Sequence, residues 1–313
     1  MHLPNELLSD IAVRLDSERD INALARTSRN SLACLDYLLY HRNARESAGS
    51  ALIWAATNGQ EITARKALEA CERVASEVLK ISTENGQDSV FKLIWESDKI
   101  EVDPKDNFGR TPLSWAAEKG NEPVTKLLLA SDNIEIDSRD NLGRTPLSWA
   151  AQKGHEHVTR LLLESGNIDV NSRDNSGRTP LSRAVFSGQE CIVKLLLESG
   201  NVQTNIRDSS GYTPLSRAVI RGKESIVKLL LESGTVDVDS RDNFGRTPLS
   251  NAAKMGNIAI VQILLELGNP DINSRDNLGR TPLSWAAERG HETIAQILIA
   301  LDDIYVESEL SSY

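Results

Sequence analysis

The sequence predicts an all-α solenoid, in which helix-turn-helix units of 34 residues stack side by side, and three observations predict it. The tetrapeptide Thr-Pro-Leu-Ser starts at Thr111, Thr145, Thr179, Thr213, Thr247 and Thr281, always 34 residues apart. A glycine stands nine residues after each of those threonines, from Gly120 to Gly290. After that glycine comes an apolar run of Val, Ile and Leu at helical spacing. A period of this size marks units that bury their apolar faces only against their neighbours, which makes binding, rather than catalysis, the expected use of the fold.

The segment from Asp140 to Arg173 serves as the type unit. Asp140-Asn141-Leu142-Gly143-Arg144 reads as a β-hairpin-like turn, because glycine takes positive φ and Asp and Asn bond their own backbone. Thr145 then caps a helix through its hydroxyl, with Pro146 at the first helical position, where its missing N–H is harmless. Leu147, Ala150 and Ala151 face inward, and Gly154 ends the helix in a left-handed cap. A second helix begins near Glu156, carries Val158, Leu161, Leu162 and Leu163 as its stripe, and stops at Ser165-Gly166. Residues 167–172 alternate polar and apolar and read as a short extended arm. Small alanines on the first helix and leucines on the second make the layers unequal, so the stack should curve with first helices and turns on its concave side.

Turn, Thr-Pro-Leu, helix, Gly, Leu-rich helix and Asp-Val-Asn arm together resemble the ankyrin repeat, over about two-thirds of the chain. The family has histidine where this chain has Ser114, Ser148, Ser182, Ser216, Ser250 and Ser284, and the serines are expected to bond locally. Two degenerate units precede the regular ones. Ser50 to Gly59 reproduces the run that ends at Gly120, and Glu84-Asn85-Gly86 stands 34 residues before Glu118-Lys119-Gly120. The expected organisation is a helical module over 1–45, two degenerate repeats over 50–105 as an N-terminal cap, six regular repeats over 106–309, and a tail, 310–313. In the last repeat, 302–307 reads as a polar C-terminal cap.

The first 45 residues do not fit the repeat. Leu3-Pro4-Asn5-Glu6-Leu7-Leu8 opens an amphipathic helix with Leu7, Leu8, Ile11 and Leu15 along one side, Asp16 to Asp20 is a charged break, and two short helices follow. Leu3, Pro4, Glu6, Leu7, Leu8, Ile11, Leu15, Asp16, Asp20, Ile21 and Leu24 together resemble the F-box motif, although Arg26 to Asn30 lacks the tryptophan with which that motif ends. The resemblance implies a three-helix module that docks on a Skp-type adaptor of a cullin ubiquitin ligase through Leu3, Pro4, Leu7, Leu8 and Ile11. An F-box ahead of ankyrin repeats resembles fungal F-box/ankyrin-repeat proteins. The alternative is that these helices only cover the open end of the solenoid.

Composition narrows the function classes. Hydrophobic content of 40% with aromatics at 4% suits Leu/Ala-filled helical repeats. A formal charge of −10, with no unmatched basic run, speaks against nucleic acid as a partner. No apolar stretch is long enough for a membrane span, and Met1 to Glu6 lacks signal-peptide character. Scattered Cys34, Cys71 and Cys191 read as free thiols, so the expected location is cytoplasmic, nuclear or both. His155-x-His157 lacks a third metal ligand nearby, and Cys191 reads as a packed thiol. No catalytic residues, metal or cofactor are expected, and the chain is expected to be a monomer.

Specificity is sought where the repeats differ. The two residues before the mid-repeat glycine run Glu118-Lys119, Gln152-Lys153, Phe186-Ser187, Ile220-Arg221, Lys254-Met255 and Glu288-Arg289. In the central repeats, Trp115, Trp149 and Trp285 are matched by Arg183, Arg217 and Asn251, and the turn arginine by Tyr212. Arg183, Phe186, Tyr212, Arg217, Ile220, Arg221 and Met255 are therefore the expected partner-binding groove. Glu118, Glu135, Asp137 and Asp169 point to a partner of basic character. The function read from the chain is the non-catalytic substrate-recognition subunit of a Skp-cullin-F-box-type ligase. Its alternatives are a free-standing scaffold whose N-terminal helices only cap the array and, remotely, an atypical enzyme using the groove.

Overall fold

The computed structural model describes residues 48–310, apart from 72–73, 98, 101–102 and 132–133. The helical module expected over 1–45, its five adaptor-facing residues and residues 311–313 lie outside the described residues. Within them the chain is all helical, with sixteen helices and no strand. It divides into two compact units at Glu135/Ile136.

The first unit holds three helix pairs: α1 (Ala48–Asn58) and α2 (Glu61–Ala70), α3 (Ser76–Glu84) and α4 (Asp88–Trp95), and α5 (Pro112–Lys119) and α6 (Glu122–Leu129). Both degenerate repeats are thus helix pairs of the regular type. Gly59 and Gly86, at φ +69° and +67°, end α1 and α3 as the mid-repeat glycines do elsewhere. Val90, Phe91 and Ile94 of α4 are buried as Val124, Thr125 and Leu128 of α6 are. Cys71 is buried here, and that burial raises its thiol pKa against the opposing effect of Lys99.

The second unit holds five pairs: α7 (Pro146–Lys153) and α8 (Glu156–Glu164), α9 (Pro180–Ser187) and α10 (Glu190–Glu198), α11 (Pro214–Ile220) and α12 (Glu224–Glu232), α13 (Pro248–Met255) and α14 (Ile258–Gly268), and α15 (Pro282–Glu288) and α16 (Glu292–Leu310). Each first helix starts as its sequence requires. Thr145 Oγ1 accepts from Ser148 N at 3.3 Å with Pro146 at the first position, and Gly154, at φ +81°, closes α7. Apolar side chains of successive pairs then form one core, in which Leu181, Ala184 and Val185 of α9 meet Ile192, Val193 and Leu196 of α10. Removing one of these, such as fully buried Leu196, would cost about 2–5 kcal/mol as alanine.

The serines that stand in for histidine bond locally, as expected, with Ser148 Oγ 3.2 Å from Thr145 Oγ1. Thr145 also ties the first helix to the far end of its own unit, its hydroxyl lying 3.1 Å from Ser172 Oγ of the arm, and Thr213 and Thr247 meet Ser240 and Ser274 likewise.

Three details differ from expectation. The hairpin-like turns form without strands: Asp140 N donates to Arg144 O and Gly143 N to Asp140 O, at 3.0 and 2.8 Å. The arm is not extended throughout, because Ser172 N donates to Asp169 O while Asn171 N donates to Asp169 Oδ1, which folds residues 169–172 into a turn. And α16 runs on through 302–307 to Leu310, since no glycine or proline interrupts it there.

The arms are tied together by one side chain per repeat. Asn171 Oδ1 accepts from Gln203 N at 2.8 Å while its amide donates to Asn201 O at 2.9 Å, and Asn205 repeats both bonds one unit on. At the next equivalent position stands Asp239, which accepts from Asp271 N but has no amide to donate. Burial, then the neighbouring Asp271 and Asp237, raise its carboxyl pKa despite that hydrogen bond. A carboxyl whose folded pKa lies above its unfolded value destabilises the fold once ionised. Asp239→Asn should therefore stabilise the protein by about 1 kcal/mol at neutral pH. The gain should vanish as pH falls through the raised folded pKa to below the unfolded one, where wild-type Asp239 is protonated too. Urea midpoints of the two proteins across that range check it, and a variant no more stable at neutral pH would refute it.

Candidate functional site

The face built from turns and first helices is organised around one aspartate per repeat. In the first unit Asp106 Oδ1 accepts from the backbone N of Phe108 and Arg110, each at 2.9 Å, and Oδ2 from Arg110 Nε and Trp115 Nε1 at 3.0 and 3.2 Å. Asp140 does the same for Leu142, Arg144 and Trp149, and Asp276 for Leu278, Arg280 and Trp285. Each arginine also lies over a ring, Arg144 at 3.8 Å from the centroid of Trp149 and Arg280 at 3.6 Å from that of Trp285. Burial alone would raise the carboxyl pKa of Asp106 and Asp276, but backbone N–H groups and the paired arginine hold both below the usual carboxylate range.

This arrangement explains why the central repeats depart from tryptophan. Arg183 donates to Asp174 Oδ2, Arg217 to Asp208 Oδ2, and Asn251 Nδ2 to Asp242 Oδ2 at 3.4 Å. Tryptophan, arginine and asparagine share a side-chain N–H at the position nine residues after the turn aspartate. The sequence carried this signal as the restriction of that position to N–H donors.

The expected groove residues therefore separate. Arg183 is 5% exposed, buried in an ion pair with Asp174 and bonded to Gln152 Oε1 at 2.6 Å, so it belongs to the stack. Burial lowers its pKa against the favourable effect of Asp174, and its Nε has no partner. Arg217 is half-buried, pairs with Asp208 and lies 4.6 Å from the Tyr212 ring centroid. The Tyr212 hydroxyl accepts from Arg246 Nη2, 3.1 Å away on the next repeat. Phe186 is half-buried beneath the Arg221 guanidinium, 3.9 Å from its centroid, and Ile220 is half-buried as well. Met255, 57% exposed, is fully presented.

The most exposed apolar side chains of this face are turn residues outside the expected groove: Phe244 at 63% and Leu278 at 75%, with Leu142 and, in the first unit, Phe108. They occupy the third position of turns held shut by aspartate, where no neighbouring layer can cover them. An apolar residue inside an Asp-Asn-x-Gly turn was the available signal. The acids taken to favour a basic partner are otherwise engaged: Glu118 pairs with Arg110 at 2.7 Å, Glu135 with Lys105 at 3.8 Å, and Asp137 Oδ2 accepts from Asp169 N at 2.8 Å.

Among the described residues no group of three His, Cys, Asp or Glu is placed to hold a metal ion. His155 stands at the N-cap of α8 and His157 is exposed. Cys191 is exposed as well, and not the packed thiol expected, because Ile192 and Val193 take the inward stripe of α10. No helix of the described residues is long and apolar enough to cross a membrane.

Comparison with known proteins agrees with the geometry. A family model described as ankyrin repeats (3 copies) matches residues 61–140, 78–174, 128–208, 167–242 and 234–308. The crystal structure of EF0377, an ankyrin repeat protein, is 30% identical to this chain, with a TM-score of 0.56, covering 60% of this chain and 96% of its own. No curated protein matches the sequence.

Proposed function

We propose that this chain, which belongs to the ankyrin repeat family, is a non-catalytic interaction protein that holds a protein partner on the turn-and-first-helix face of residues 136–310. One observation carries this reading: the buried polar groups of that face serve the stack, while Phe244, Met255 and Leu278 stand exposed among arginine-aromatic pairs. Exposed apolar side chains ringed by arginine on a rigid scaffold have the makeup of a binding hot spot.

Affinity capture from cell extract, quantified by mass spectrometry, tests it. The full chain is compared with Phe244→Ser, Leu278→Ser and with the outer-helix variant Lys194→Glu, Lys228→Glu. The first should lose a captured protein at least about tenfold and melt nearly as the parent does, because both side chains are solvated; the second should keep it. Equal capture by all three would remove this face from consideration. Phe186→Ser with Ile220→Ser should also weaken capture, with a modest loss of stability because both are half-buried.

A finer reading makes the chain the substrate-recognition subunit of a Skp-cullin-F-box-type ubiquitin ligase. What supports it is the F-box-like pattern of Leu3, Pro4, Leu7, Leu8 and Ile11 ahead of the repeats. The mechanism is tethering: one end of the chain holds the adaptor, the repeats hold the substrate, and ubiquitin transfer accelerates through raised local concentration. Co-purification with a Skp-type adaptor should succeed with the full chain and fail with Leu7→Asp, Ile11→Asp. Failure with the parent as well would leave a scaffold whose first residues only cap the repeats.

A further inference from the structure

The charge of the chain is segregated. Although the whole carries −10, each of the segments 140–154, 174–188, 208–222 and 242–256, from turn to mid-repeat glycine, holds a single carboxylate, the turn aspartate, and two cations. The second helices begin and end in glutamates instead, as with Glu190 and Glu198 of α10. Since each of these four turn aspartates is buried and bonded within its own repeat, one positive charge is left on this face in each of those four repeats.

The next segment, 276–290, is neutral, with Asp276 and Glu288 against Arg280 and Arg289, yet cations gather around its tryptophan. Three cations surround the Trp285 ring, with Arg280 at 3.6 Å, Lys254 at 4.5 Å and Arg289 at 6.0 Å from its centroid. Arg280 has Asp276 and Glu288 as partners, at 3.1 and 3.5 Å. Neither Lys254 nor Arg289 forms an ion pair among the described residues, Asp242 acting on Lys254 only from beyond contact. Burial, then Arg246, Arg289 and Arg280, depress the Lys254 pKa, as crowded like charges must. The exposed apolar residues lie on the same repeats: Phe244 under Arg246 at 4.7 Å, Leu278 on the adjoining turn, which is joined to the first by Asn277 N donating to Phe244 O at 3.0 Å, and Met255 next to Lys254.

We propose that residues 242–290 bind an acidic segment of a protein chain, with carboxylates on Lys254 and Arg289 and apolar side chains of the same segment on Phe244, Met255 and Leu278. This inference rests on the interaction role proposed above and names the chemistry of its partner. Charge complementarity selects the sign: a carboxylate supplies the counter-charge the cluster lacks, whereas a basic segment would add a fourth like charge. Met255 and Leu278 favour polypeptide over nucleic acid, because bases stack on an aromatic ring such as Phe244 but gain nothing comparable from aliphatic side chains. A long polyanion would also extend beyond the patch into the field of a chain of net charge −10.

The test measures fluorescence anisotropy of the full chain with three labelled probes: a synthetic peptide alternating glutamate with leucine and phenylalanine, its lysine counterpart, and a single-stranded oligodeoxynucleotide of similar length. The glutamate peptide should bind at least about tenfold more tightly than either other probe and weaken as salt is raised. Lys254→Glu with Arg289→Glu should weaken it by a further factor of about ten or more. Lys254→Met with Arg289→Gln, which relieves repulsion, should lose part of the affinity with no fall in melting temperature. Lys228→Glu, on the outer helix, should change nothing. Equal or tighter binding of the lysine peptide or the oligonucleotide, or an affinity untouched by charge reversal, would overturn the proposal. A partner captured as described above, lost on Phe244→Ser, Leu278→Ser but kept on Lys254→Glu, Arg289→Glu, would leave the interaction role standing and remove the acidic partner.

Discussion

Replacing Asp174 by alanine is expected to destabilise the protein by about 3–5 kcal/mol, the range for breaking a buried ion pair by removing one partner. Four donors lose their acceptor at once: the backbone N of Ser176 and Arg178, at 2.8 and 2.9 Å, Arg178 Nε at 3.1 Å, and Arg183 Nη2. Arg183 is then a buried cation with no carboxylate, and its Nε already lacks a partner. Asp174→Asn keeps an acceptor for the turn and should lose less. Asp174→Ala with Arg183→Leu should recover part of the loss, since the stranded charge goes as well.

The pH dependence follows from the direction of the shift. Burial opposes ionisation of Asp174, but the Arg178 N–H and the charges of Arg183 and Arg178 outweigh it, so the folded pKa lies below the unfolded one. Its contribution is therefore fully present above the unfolded carboxylate pKa, about 4, and is lost as pH falls through the lower folded value. Urea midpoints of parent and Asp174→Ala should differ most from neutral pH down to that point and converge in stronger acid. A midpoint unmoved at neutral pH would mean that the turn and both arginines stand without the carboxylate.

The second large effect is expected at Gly211. Its φ is +79°, and a Cβ there would lie 2.7 Å from Asn243 N of the next turn and 2.9 Å from Arg207 Nη2. Left-handed strain accounts for about 1–2 kcal/mol and displacement of packed backbone for about 1–3 more. Gly200 separates the two causes, since it has the same φ with nothing within 4 Å of its Cβ position. Gly211→Ala should lower the urea midpoint clearly more than Gly200→Ala does. Equal losses would show that conformation alone, and not the approach of the next repeat, demands glycine in the turn.

That pair of glycines also shows what was legible in the chain. Gly143, Gly154 and Gly211 were identifiable as positive-φ positions from their place between turn and helix, because backbone sterics act locally. The close approach of Asn243 to Gly211 was not, because the two lie in successive repeats. The same holds for the binding face. Met255 is exposed by its own place at the end of a first helix, whereas the burial of Arg183 depends on Gln152 of the preceding repeat and Asp174 of its own turn. Phe186 and Ile220 were identified as apolar, but their cover, such as Arg221 over Phe186, depends on packing across repeats.

The sequence by itself determined the helix pairs, their 34-residue period, their caps and their family, because a recurrent local pattern specifies the same turn, cap and apolar stripe each time it occurs. It also contained the charges of the face, though not their arrangement. Tertiary structure alone decided which polar groups serve the stack and which face solvent, since an arginine is free or engaged according to what its own turn and the preceding repeat place beside it. In Arg183 the neighbour is an aspartate and a glutamine, and in Arg289 it is a tryptophan ring already bordered by two cations.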